Sequence, residues 1–265
     1  MGSATSDKSK GLAAIPDFVD NAAKNLTDKP TQSIGQTLSD LWQLVLGNRV
    51  SFKLEKQRMK YACALEEYRE SLDAKVAAIP EEKRIEPSTQ IAAQALDDSK
   101  YCVESAELRE MFAHLIASSM HADYADKAHP SFSKIIQQMS ALDAQMLEIL
   151  HRYQSCGGLA VVNYKKVLSA GGFEPLVECI PEKAPESCSL EIAGHSIAFL
   201  QRLGLIQIPA FTHFSNDDRY AAFQRTSLHA ELNRQATVFG YKLEMERSLA
   251  RLTPVGQDFV SVCLG

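Results

Sequence analysis

Apolar residues recur every three or four positions through most of the first 150 residues, and that spacing predicts a run of helices. In Thr31–Leu46 the stripe is Ile34, Leu38, Leu41, Trp42, Val45 and Leu46, and Gly47-Asn48 is the stop. A long helix is expected from about Val50 to Ala78. Its Leu54, Tyr61, Leu65, Tyr68, Leu72, Val76 and Ile79 approach a heptad seam, and Pro80 ends it. A second helix over about Ser88–Glu104 follows a short turn, so the two are expected to form a long antiparallel hairpin. Ser105 can cap a helix over Ala106–Met120, Ser131 another, and Ser140 with Asp143 forms a capping box for a third. Nearer the start, Pro16 opens a short helix to about Asn25.

The texture changes after Gly157-Gly158, where Pro and Gly become frequent. A helix over Ser189–Leu203 turns at Gly204 into a strand over Leu205–Ile208. A polar loop follows, and Phe239–Arg251 reads as another strand. Then comes Leu252-Thr253-Pro254-Val255-Gly256-Gln257-Asp258-Phe259, with Pro254 suited to a first helical turn. The order resembles a winged-helix module. The expected fold is therefore mainly α: an N-terminal multi-helix bundle with a long helical hairpin, then a C-terminal α+β winged-helix-like module. Residues 1–10 read as a disordered tail, 11–140 as the bundle and 141–265 as the second module.

Composition narrows the function. The net charge is −5 and neither half carries a basic excess, so nucleic acid is not the expected partner. The helix 189–203 offers Glu191, His195, Gln201 and Arg202, a poor surface for reading bases. Six scattered cysteines without a CxxC pair fit reduced thiols in a cytoplasmic protein. The N-terminus has no apolar core of a secretory signal, and Met1-Gly2-Ser3 with Ser6 fits the myristoylation pattern only loosely. The face of Thr31–Leu46 that carries Trp42 could rest in a bilayer interface. Its polar side holds Asp40 and no lysine or arginine, which favours core packing instead.

Glu107, Arg109, Glu110, His114, His121, His129, Pro130 and Phe132 form the densest set of charges and histidines, and they make up the candidate interaction surface. Glu110, His114 and His121 have spacings that share a helix face, with Asp123 and His129 able to fold back, yet His121 is expected just past the helix end and a tight His-x-x-x-His or Glu-x-x-His pair is absent. No metal or cofactor is expected. Ser118-Ser119 and Cys156 lie in no recognisable nucleophile setting, and the two Gly-Gly pairs lack the Lys-Ser/Thr of a phosphate loop. A non-enzyme is the expectation.

DKPTQSIGQTLSDLW, KQRMKYACALEEY, IPEEKRIEPS and above all ELREMFAHLIASSM with HPSFSKIIQQMSALDAQ resemble the Abi-alpha family of bacterial proteins, over about Leu26–Gln145. That resemblance implies helical structure and a link to abortive infection of phage-infected cells, and it brings no catalytic residues with it. The expected function is non-enzymatic anti-phage defence through contact with a host or phage protein. The heptad-like helix would also suit self-association. The alternatives are a DNA-binding regulator using the C-terminal module, and a membrane-perturbing effector using helix 31–46.

Overall fold

The computed structural model describes residues 31–46, 55–169 and 171–265. The expected short helix near Pro16, the N-terminal tail and the Gly47-Asn48 stop lie outside them. In chain order come α1 (Thr31–Leu46), α2 (Glu55–Ala77), α3 (Thr89–Ser99), α4 (Ala106–Ser119), α5 (Ser131–Gln138) and α6 (Ala141–Tyr153). Then follow β1 (Leu159–Val167), β2 (Phe173–Pro181), α7 (Leu190–Arg202), β3 (Ile206–Gln207), α8 (Asp218–Ala221), α9 (Ser227–Phe239), β4 (Lys242–Leu252) and α10 (Pro254–Cys263).

The apolar stripes are buried as their spacing requires. On α2, Ala64, Tyr68, Leu72 and Val76 step by fours into the core, and Trp42 of α1 meets Tyr68 at 5.2 Å between ring centroids. α4 is the central helix: Met111, Phe112, Leu115 and Ile116 are fully enclosed. The long hairpin does not form. α2 packs on α4, and α3 packs on α1, α4 and α5. The reason lies in the connection. A 3-10 turn over Glu81–Lys83 and an extended segment bridge to the end of α4, where Arg84 pairs with His121 and the Ile85 amide donates to the Met120 carbonyl. That tether draws the chain away from α2. The second helix also ends at Ser99, five residues before the expected Glu104.

The strands form a four-stranded antiparallel sheet in the order β2-β1-β4-β3. β1 and β2, a hairpin, escape the sequence pattern because LAVVNYKKV is apolar on both faces at its start. Leu159 and Val161 join the main core, whereas Ala160, Val162 and Tyr164 face a second cluster with Tyr220, Phe223, Leu228 and Leu232. α9 occupies chain that reads as loop, and it ends with left-handed Gly240.

The Leu-Thr-Pro-x-Gly-x-x-Phe segment has a physical explanation. The Thr253 hydroxyl accepts from the Gly256 amide at 2.9 Å, and Pro254 fills the first helical turn. A Cβ on Gly256 would sit 1.9 Å from the Leu205 carbonyl oxygen, so only glycine lets α10 approach the Leu205 backbone this closely. Phe259 is buried and meets Phe132 of α5 edge-on at 5.1 Å. One hydrophobic core thus runs from α1 through α10, and α10 lies directly against α4.

Candidate functional site

The two ends of α4 treat charge differently. At its start the Ser105 hydroxyl accepts from the Leu108 amide. Glu107 accepts from Gln145 at 2.7 Å and from Ser105 at 3.1 Å. Its own backbone amide, with those two donors, holds the carboxyl below its ordinary range. Arg109 is only 9% exposed: its guanidinium donates to the Val103 carbonyl at 2.8 Å and to Glu67 of α2. These groups bind helices to one another.

One turn further on, Glu110 accepts from Lys75 of α2 at 2.7 Å. Burial works against its charge, but the lysine prevails and the carboxyl sits below its usual range. His114 lies next on the same face. Burial, then the positive charge of Lys75, push its imidazole down to about 4 against the opposing pull of Glu110, so it is neutral near pH 7.

His114 opens onto a cleft of about 260 Å³ lined by Lys75, Ala78, Ile79, His114, Ala117, Ser118, His121, Tyr124, Ser261 and Gly265. Its walls are the ends of α2, α4 and α10 and the loop after α4. His121 meets Tyr124 edge-on at 4.9 Å, and its Nδ1 accepts from the Asp123 amide at 3.1 Å, which leaves the neutral ring's proton on Nε2. Outside the cleft, Lys83 donates to Asp123 at 2.6 Å and holds that carboxyl low.

His129 has a structural task that sequence reasoning gives to Ser131. Its Nδ1 accepts from the Ser131 amide at 3.1 Å and lies 2.7 Å from the Ser131 hydroxyl, so the histidine closes the turn that Pro130 starts. Ser131 is already the first residue of α5, whose cap position is Pro130. Phe132 is 3% exposed and belongs to the core. The eight candidate residues are therefore not one surface. Arg109 and Phe132 are internal, Glu107 ties α4 to α6, and Glu110 and His114 adjoin the cleft that His121 helps to line. Lys75 and Ser261 also line the cleft and were missed because they are distant from His114 in sequence, and Ser118 and Tyr124 because neither carries a charge.

Among the described residues no group of three or more His, Cys, Asp or Glu could hold a metal ion. Both serines in the cleft have bonded hydroxyls: Ser118 donates to the Val262 carbonyl at 3.0 Å and Ser261 to the Asp258 carbonyl at 2.8 Å. Each hydroxyl is thus committed to a main-chain carbonyl.

A family model described as Abortive infection alpha matches residues 60–263, and the chain belongs to that family. The match covers the C-terminal sheet and α10 as well as the helices, well past the Gln145 limit of the resemblance seen in the sequence. No curated protein and no solved structure matches the chain. Among the described residues no helix is long and apolar enough to cross a membrane.

Proposed function

We propose that the protein is an abortive-infection-type anti-phage defence protein that works without catalysis, by contact with a host or phage protein. Family membership over residues 60–263 is the observation that carries the defence role. What supports the non-enzymatic part is that both serine hydroxyls of the cleft donate to main-chain carbonyls and that Lys75 is salt-bridged to Glu110. The contact surface in this reading is the loop after α4, where His121, Tyr124 and His129 are at least partly open to solvent on a rigid base of helix ends.

The C-terminal half reads as a modified winged-helix unit. The strand order β1-β4-β3 with α7 between β1 and β3 in the chain suits that plan, and β2 takes, in chain order, the place of a middle helix. Its use in this reading is packing: α7 turns Ile192, His195, Gln201 and Arg202 outward, a weak set for phosphate or base contact, while Ala193, Ile197 and Leu200 are buried.

The test is phage plating on bacteria that express the chain. The expected result is reduced plating for at least one phage, with infected cultures collapsing before new phage is released. Unchanged plating across a broad panel would overturn the defence role.

A further inference from the structure

We infer that the cleft between the ends of α2, α4 and α10 is a binding site for a small organic anion with a flat apolar body, of which an aryl phosphate is the simplest example. Its floor is partly apolar, with Ala78, Ile79 and Ala117, while an ammonium, two imidazoles and a phenol converge around it. A volume of about 260 Å³ suits one ring with an attached charged group rather than a peptide.

The sign of the ligand follows from the charges. Three helices end at the cleft, and bare helix C-termini would favour a cation. Here many of those carbonyls are occupied. Ala117 and Ser118 accept from Met120 and His121, Val76 from Ile79, Val260 from Leu264, and Val262 from Ser118. The Ile79 carbonyl accepts from the Arg84 guanidinium at 2.9 Å, which adds a positive charge behind the wall. Lys75 sits in the last turn of α2 and brings its ammonium to the cleft. Glu110 answers it from one side, leaving the remaining ammonium hydrogens available to a second acceptor. His121 offers Nε2–H as a further donor, and its ring, set edge-on to that of Tyr124, adds an aromatic face to the rim. An anion would thus meet charge-assisted donors, whereas a cation would meet Lys75.

This site shares its position with the proposed contact surface but does not depend on the defence role, because binding is measured on the purified full chain without phage. The probe is phenyl phosphate, followed by the imidazole proton signals of His114 and His121 and by calorimetry, with benzylamine as the cationic control. Saturable one-to-one binding that moves both imidazole signals is expected. Lys75→Met should weaken it about tenfold, and Glu110→Gln, which releases Lys75 from its partner, should tighten it. Tyr124→Phe, a change at the cleft rim that spares the core, should retain binding of the ring and keeps the test open should Lys75→Met fail to fold. Absence of saturable binding at millimolar phenyl phosphate, equal binding of benzylamine, or an unaltered affinity in folded Lys75→Met would each overturn the inference.

Discussion

The first turn of α4 and the stretch from His114 into the loop after α4 both carry polar side chains and put them to opposite uses. At the start, Arg109 is enclosed and spends its guanidinium on Val103 and Glu67, so its charge holds α2 and the preceding turn in place. At the end, His114 looks into an open cleft, kept neutral by burial and Lys75, with His121 and Tyr124 beyond it. A charged residue on a helix is therefore not an interaction residue by virtue of its charge. What separates the two ends is whether the charged group is enclosed and tied to neighbouring elements or opens onto a cleft.

The largest effect should come from removing a wall of the open end. Gly256→Ala forces a Cβ against the Leu205 carbonyl, so α10 cannot seat beside Leu205 and is displaced from α4. Loss of stability on the order of 3 kcal/mol or more is expected in chemical denaturation, since a backbone clash has no flexible side chain to absorb it. A variant as stable as the parent would show that α10 is not held by this approach.

Next in size is Arg109→Ala at the locked end. It strands the Val103 carbonyl and frees Glu67, and because Glu67 is half open to solvent the cost should be about 2 kcal/mol. Arg109→Lys should recover only part of it, as a lysine lacks the fork that reaches both acceptors. Full stability in Arg109→Ala would place this residue on the surface after all.

The smallest effect is a pH dependence at the open end. The folded His114 imidazole titrates at about 4, below the ordinary 6.5 of the unfolded chain. Between those values the unfolded chain binds the extra proton, so stability falls as pH drops from about 6.5 toward 4. Above that window both states are neutral and the histidine contributes no slope. Denaturation midpoints of the parent and of His114→Gln, followed from pH 7 to pH 4, should diverge only in this window, with the parent losing more. Parallel curves would mean that His114 is not held neutral.

Much of the helical half was legible because its signals are local. Thr31–Leu46 has the expected bounds, Ser105 and Ser140 cap as their positions require, and the Ser140–Asp143 box closes from both sides. The partner of each helix was not legible. Nothing in the Ile79–Ser88 segment announces that Arg84 will bridge to His121, and that bridge sends α2 to α4 instead of α3. β1 was hidden because period-two alternation vanishes where a strand is covered on both faces, and β2 because Pro175 interrupts a strand that is largely open to solvent. Of the candidate site, Glu110 and His114 follow from helical spacing, whereas His121 lies past the end of α4 and is placed by the bridge to Arg84. Lys75 and Ser261 reach it only through tertiary packing, and Phe132 turned inward because α10 supplied Phe259 to meet it.

The most direct test of the division between the two ends pairs phage plating with melting for the same variants. His121→Ala and Tyr124→Ala alter the open end without entering the core, and the expected result is wild-type melting with protection against phage lost. Full protection in both folded variants, with protection lost only where the locked end is cut and the chain unfolds, would contradict it.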